Sequence, residues 1–467
     1  RIYRVNRLYN SNDVDEDAAT VSFPCGPALL LDYSSIVENQ VRFFNQLRNQ
    51  WFFDYQKSES EIIRFNEPYF LLADSTVFDI FTFPFISGDP ETALDRPGTI
   101  VVTESTAKRY FGDEPALGKV LRVEEGINFE ITGVMKDLPT QSHLKIDILG
   151  SLNTFRQFNP NGQFPQTWIW NPCWTYVLLH EGIDAKMLDE RFPEFYQNHY
   201  NDLRDADVSL YTQALTDIHL KSHHVYEMRQ NSNIIYVYIL SIIAVIILAL
   251  ACINFMNLAT ASSAGRAKEI GIKKVFGSYR KQLIMQFLGE AVVQSFLAML
   301  IALLVVELLL PGFDNFTGKF INPSFIVELK IIGFILAMAF MVGLLAGIYP
   351  AFILSAFKPL KVLKGALKSG SKSGAARKIL VVMQFSISIS LIIGSLIVFA
   401  QLNFLRNAEL GFKKDHIINL QRVGPLFRNY EAFKQELLRH KDIEYVTGAE
   451  DYLGINHNTR DYEVEGL

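Results

Sequence analysis

Three short stretches carry residue types that could do chemistry. In GALKSGSKSG, residues 365–374, Gly365 and Gly370 stand at the separation of a phosphate-binding loop. Such a loop needs Lys followed by Ser or Thr, one to reach the phosphates and one to reach Mg²⁺. Here the order is Ser371-Lys372 and no strand-like run leads in, so the stretch reads as a basic Gly/Ser loop. In HLKSHH, His219 and His223 would share a helix face as a zinc pair, with His224 beside them. No fourth ligand and no HExxH glutamate accompanies them, and a surface loop is the simpler reading. The third stretch is AGRAKEIGIKKVFGSYRKQ, residues 264–282, which holds Arg266, Lys268, Lys273, Lys274, Arg280 and Lys281 against one acid, Glu269. Bases at this density attract anionic lipid or an acidic partner, yet Ile270, Ile272, Val275 and Phe276 are interleaved with them. Charge alone does not require those four.

Other candidates are thin. Of the three cysteines, Cys25 and Cys173 could pair, but one bridge is not a disulfide framework, and Cys252 lies in an apolar run. No nucleophile–base pair stands out, so no catalytic, cofactor-binding or metal-binding residue is assigned. Net charge is −5 over 467 residues, which gives no reason to expect nucleic acid as a partner.

The elements that must position the basic stretch are apolar. Residues 234–261, 287–310, 331–357 and 379–400 are four long hydrophobic runs. A helix needs about 20 mostly apolar residues to cross a bilayer, and each run is long enough. Polar residues at or near these runs (Asn254, Asn257, Gln294, Glu290 and Glu307) are costly there. Hydrogen bonding between helices is their expected role, with Glu290 expected to face the bases of the 262–286 loop.

Charge orients the chain. Residues 1–232 hold 33 acids and 20 bases, whereas the remainder holds 16 acids and 24 bases. Cytoplasmic loops retain Lys and Arg. Loop 262–286 is basic, and loop 358–378 carries seven bases without an acid, whereas loop 311–325 has only Asp314 and Lys319. The two basic loops therefore belong inside, and residues 1–232 and 401–467 outside. A polytopic membrane protein with four crossings is expected. The segment 264–277 reads as a helix lying at the membrane surface, with a turn at Gly277-Ser278.

Before the first run the pattern is mixed. GTIVVTESTAKRYFG runs from a strand into a helix capped by Thr103 or Ser105, while FEITGVMKDLP and WTYVLLHEG read as strands. DAKMLDERFPEFYQNHY has helical spacing at Met187, Leu188, Phe192 and Phe195. Strands and helices without a βαβ rhythm indicate an α+β domain, joined here to an all-α transmembrane helical bundle.

RAKEIGIKKVFGSYRKQLIMQFLGEA resembles the signature of the FtsX-like/MacB-like family of ABC transporter permeases. Its matching residues are Arg266, Glu269-Ile270-Gly271, Lys273-Lys274, Phe276-Gly277 and Gln286-Phe287-Leu288 with Glu290. GLLAGIYPAFILSAFKPLKVLKG, with Tyr349-Pro350 and Lys358-Pro359, is similar to the family's exit from its third core span. The 377–420 stretch resembles the start of the second half. FDIFTFPFISGDPETALDRPGTIVVTESTAKRYFGDEPALGKVL and ITGVMKDLPTQSHLKIDIL look like a MacB-type periplasmic core domain, which in the family has two subdomains.

The resemblance implies a MacB-like extracytoplasmic core over 1–232 and an FtsX-like transmembrane core over 233–404. Residues 405–467 would begin a second extracytoplasmic domain, so the chain reads as an internal piece of a two-half protein. It implies a permease subunit, not an enzyme, coupled by mechanotransmission to a separate cytoplasmic ABC ATPase and paired as a homodimer or heterodimer. Arg266, Glu269, Ile270, Gly271, Lys273, Lys274, Phe276 and Gly277 would form the coupling helix that meets that ATPase. The other class of reading is a non-transporting membrane receptor or scaffold, which has no need of a docking element. Neither the cargo nor the choice among export, lipoprotein extraction, hydrolase activation and peptide sensing follows from the residues.

Overall fold

The computed structural model describes residues 1–448 except 12–13, 46–50, 124–125, 140–141, 159–160, 201–206, 318–327, 357–370, 409–415 and 421–428. The Gly365 and Gly370 of the Gly/Ser stretch fall outside the described residues. Helix begins at Ser371, so its second half is the start of a helix.

The mixed region opens with β1 (Ile2–Ser11), β2 (Val14–Ala18), α1 (Cys25–Asp32), β3 (Val37–Phe44), β4 (Phe52–Gln56) and β5 (Ile62–Asn66). It continues through β6 (Phe70–Ala73), α2 (Val77–Ile80), β7 (Phe85–Gly88), β8 (Thr99–Thr103), α3 (Glu104–Phe111), β9 (Val120–Val123) and β10 (Asn128–Met135). After β11 (Ile148–Ser151) and a 3-10 segment over 152–158 come β12 (Trp174–Leu179), α4 (Lys186–Asp189), α5 (Phe192–His199), β13 (Asp207–Ala214) and α6 (Leu215–Lys221). One hydrogen-bonded path joins the strands in the order β13-β1-β12-β3-β6-β11-β8-β10-β9-β4-β5, with β2 on β1 and β7 on β10. The pairs β8–β10 and β6–β11 are parallel and the others antiparallel, so the domain is α+β as its sequence suggests.

Successive residues of the central strands face opposite layers. Ile100 and Val102 of β8 enter a core with Phe53, Phe70 and Phe129, while Val101 enters one with Phe43, Leu149 and Tyr176. A strand buried on both faces reads as the unbroken run TIVVT. At its end the Thr103 hydroxyl accepts from Thr106 N–H, which settles the cap of α3 on Thr103. The DAKMLDERFPEFYQNHY helix is corrected to two short ones, α4 and α5, with Pro193 in the first turn of the second. Leu188, Phe192 and Phe195 are buried, but Met187 is 46% exposed. It precedes Leu188 by one residue and so lies about 100° round α4 from that buried side chain. Cys25 and Cys173 are free thiols buried in different clusters, and burial pushes the Cys25 thiol up to about 12.

The apolar runs form α7 (Ile234–Val275), α8 (Arg280–Thr317), α9 (Leu329–Ser355) and α10 (Ser371–Asn407), followed by α11 (Tyr430–Leu438). The first four are long and apolar enough to cross a membrane. The separate surface helix expected over 264–277 is not present. Residues 264–275 are the last turns of the 42-residue α7, and 276–277 open the turn after it. No proline interrupts the run, and each interior glycine costs only about 1 kcal/mol, too little to break a helix of this length. α8 likewise continues past Pro311, into the stretch expected to be loop.

Two compact units divide the chain, one holding residues 1–246 and 304–326 and the other 247–303 and 327–467. Within the second, α8 and α9 meet through small residues. A Cβ on Gly343 would lie 2.7 Å from Val292 Cα, and one on Gly347 2.7 Å from Ala291 Cβ. Ser295 Oγ donates to Ala339 O at 2.7 Å across the same contact. Close backbone approach of this kind is how helices associate where water cannot drive them together.

Candidate partner-docking surface

The end of α7, the start of α8 and the end of α9 converge on the basic stretch. Its turn is a Schellman motif. Gly277 has φ +94, Gly277 N–H donates to Lys274 O at 3.1 Å, and Ser278 N–H donates to Lys273 O at 3.0 Å. Only glycine takes that backbone without penalty, so the expected turn position is the observed one. α8 then starts with Gln282 Oε1 accepting from Tyr279 N–H at 2.9 Å, half of a capping box.

The residues singled out from sequence separate into two sides. Ile270 is buried against Leu283, Phe287, Ala351 and Leu354, and Gly271 beside it is buried too. Lys274, one turn on from Ile270, donates to Ser355 O at 2.6 Å, and Arg280 Nε donates to Ser355 Oγ at 3.4 Å. Burial, with Arg280 alongside, lowers the Lys274 ammonium below the ordinary lysine range. These groups tie the three helices together.

Away from that face the surface is apolar. Ile272 is 43% exposed, Val275 63%, Phe276 86% and Tyr279 75%. Ile272 and Phe276 are four apart and lie on the side of the helix opposite Ile270. Two of the bases around them are paired with acids of the same chain. Arg266 Nη1 meets Glu290 Oε2 at 2.7 Å, as expected for Glu290, and Lys273 Nζ meets Glu269 Oε1 at 2.9 Å and Gln286 Oε1 at 3.3 Å. What the segment offers outward is a protruding hydrophobic knob on a braced helix end. Sequence reasoning missed Tyr279 and the bracing role of Ser355. Tyr279 lies beyond the turn, and Ser355 is 81 residues away from the Lys274 that it holds.

The histidines do not converge. α6 ends at Lys221, so His219 and His223 are not on one helix face, and His224 Nδ1 instead meets Asp17 Oδ2 at 3.0 Å. Among the described residues no three His, Cys, Asp or Glu side chains are grouped to hold a metal.

Residues 30–194 match the MacB-like periplasmic core domain, and residues 241–359 match the C-terminal domain of FtsX-like permeases. Over 302 residues the chain is 25% identical to the uncharacterized ABC transporter permease YvrN of Bacillus subtilis (strain 168), covering 62% of this chain and 68% of that protein. Over 272 residues it is 23% identical to the macrolide export ATP-binding/permease protein MacB of Bdellovibrio bacteriovorus. That match covers 56% of this chain but only 38% of the relative's length. The solved periplasmic region of MacB from Actinobacillus actinomycetemcomitans aligns with 46% of this chain and 90% of its own, at 12% identity and a TM-score of 0.32.

Proposed function

Since the chain belongs to the FtsX-like/MacB-like ABC transporter permeases, we propose that it is the permease subunit that couples a separate cytoplasmic ATPase to an extracytoplasmic domain. In this reading α7 to α10 cross the inner membrane and the basic helix ends lie inside, where Lys and Arg are retained. The acidic region 1–232 lies outside, 233–404 forms the membrane core, and 405–467 begins a further outer segment. A second permease chain, identical or related, completes the membrane part. ATP-driven movement of the ATPase is passed through the helices to the outer domain.

One observation carries this reading: the knob of Ile272, Val275, Phe276 and Tyr279 projects from a helix end braced by Lys274, Arg280 and Ser355. A lipid anchor would keep its bases free and its apolar residues embedded along one face. Here four bases are committed to partners in the same chain, and a bulky aromatic stands out beyond them. Such a side chain fits a pocket on a partner, where losing an anchor costs about 2 kcal/mol or more.

The test is the ATPase rate of the nucleotide-binding subunit that co-purifies with the permease, measured at equal expression. Phe276→Ala or Tyr279→Ala should reduce stimulation by about tenfold or more, while Lys281→Gln should have an effect below about twofold that added salt mimics. Full stimulation with both aromatic variants, and loss only on charge removal, would return the segment to a lipid anchor and leave the receptor reading standing.

A further inference from the structure

The connector between the sheet and α7 carries a polar cluster that the docking surface does not use. Arg4 of β1 is fully buried. Its Nε donates to Asn6 Oδ1 at 2.8 Å and its Nη1 to Glu227 Oε2 at 2.7 Å. Nη2 shares its two N–H groups among Glu227 Oε1 at 2.9 Å, Ser222 Oγ at 2.7 Å and Gln213 Oε1 at 2.9 Å. Ser222 and Glu227 belong to the connector, 222–233, whereas Asn6 and Gln213 belong to β1 and β13. A single guanidinium fork therefore holds two strands and the segment leading into α7.

The connector is fastened at further points. Val225 N–H donates to Asp17 O at 2.8 Å and Val225 O accepts from Ala19 N–H at 3.0 Å, which adds one residue to the sheet as a parallel bridge. Trp174 Nε1 donates to Tyr226 O at 2.7 Å, with Tyr226 in the left-handed region at φ +59. Asn231 Nδ2 reaches Ser222 O at 3.2 Å, and Ser232 N–H reaches His219 O at 3.0 Å. The helix begins two residues later, and its first turns belong to the same compact unit as the sheet. A flexible tether needs none of these bonds. Burying an arginine is costly unless its geometry is complete, and here its fork is filled from both sides of the junction.

We propose that Arg4 is a positioning residue that locks the 222–233 connector to β1 and β13, so that the sheet domain and the first turns of α7 move as one lever. Its use in coupling rests on the permease reading above. The rigidity itself can be measured without any ATPase, so the two can fail separately.

The full chain in lipid nanodiscs is spin-labelled at Glu91 and Tyr238, both exposed, and the width of the distance distribution is read together with amide exchange. Glu227→Gln leaves the arginine without its counter-charge and could disturb folding, so the double variant Arg4→Met/Glu227→Leu removes both charges at similar volume. In the double variant the distribution should widen about twofold. The Val225 and Ala19 amides should exchange about tenfold faster, while the Val101 amide in β8 keeps its protection. Wild-type width and wild-type Val225 exchange in the double variant would overturn the proposal. So would equal loss of protection at Val101 and Val225, because the cluster would then hold up the whole fold and not a junction.

Discussion

At the scale of single residues, burial decides what each side chain is for. Ile270 and Phe276 are both apolar residues of one basic segment, yet one is sealed among helices and the other stands 86% exposed. Truncating the first should therefore be felt as lost packing and truncating the second as lost coupling. His143 gives a pH-dependent case in the sheet domain. Its ring is buried, with Nε2 2.8 Å from Tyr176 Oη, and burial, with Arg4 nearby, lowers its pKa to about 4 from an ordinary 6.5. Glu227 and His219 also act on it, in opposite directions. The unfolded chain therefore takes up the proton first. Stability from this site is complete above about pH 6.5 and is lost as pH falls toward 4, by up to about 3 kcal/mol. His224, also lowered by burial, acts in the same direction. Melting temperatures between pH 7.5 and 4.5 should fall less steeply in His143→Gln than in the wild type. Parallel curves would show that His143 is not held neutral by the fold.

At the scale of elements, the α8–α9 pair depends on the absence of side chains. Gly343 faces Val292 backbone and Gly347 faces Ala291 Cβ, so a larger residue at either position must push the helices apart. Overpacking of this kind costs about 1–3 kcal/mol. Gly343→Leu should lower the thermal midpoint of the detergent-solubilised protein, read by fluorescence-detected size exclusion. Gly289→Leu, where a Cβ meets nothing within 4 Å, is the matched control. Equal midpoints for the two variants would mean that the close contact is not maintained. The same pair ends beside Ser355, which holds Lys274 and Arg280, so a fault between α8 and α9 should also reach the knob.

At the scale of the whole molecule, charge and apolar length together imply a direction across the membrane. The first 232 residues are acidic on balance and the remainder basic, with the bases gathered at helix ends. If the positive-inside rule holds here, a cysteine placed at Ser60 reacts with an impermeant thiol reagent in intact cells. One placed at Ser278 reacts only after lysis. The native Cys25 and Cys173 thiols are buried and do not compete. Reaction at Ser278 from outside would invert the orientation and with it the place of the docking surface.

The amino-acid sequence by itself determined the features that depend on local chemistry. Four apolar runs long enough for a bilayer, the Gly277 turn and the α+β character of the first region follow from composition, spacing and φ preference within short windows, whereas the choice between Thr103 and Ser105 as the α3 cap was made only by the Thr106 N–H bond to Thr103. The resemblance to the family rests likewise on short runs of residues, such as Glu269-Ile270-Gly271. The continuity of α7 into the basic segment is hidden in the sequence because a change in polarity resembles a boundary, whereas the backbone needs a breaker before it stops. Helical spacing does not say which of the adjacent Met187 and Leu188 meets the core; about 100° apart on α4, only Leu188 does. Tertiary structure alone decided which side of the basic segment is inside. Ile270 and Phe276 have similar hydrophobicity, and only the arrival of Leu283 and Phe287 from α8 and of Ala351 and Leu354 from α9 distinguishes them. It alone made Arg4 a core residue, since the carboxylate that neutralises it lies 223 positions along the chain. Sequence patterns record how a side chain relates to its own helix or strand, but burial and pairing depend on neighbours that only the folded chain brings together.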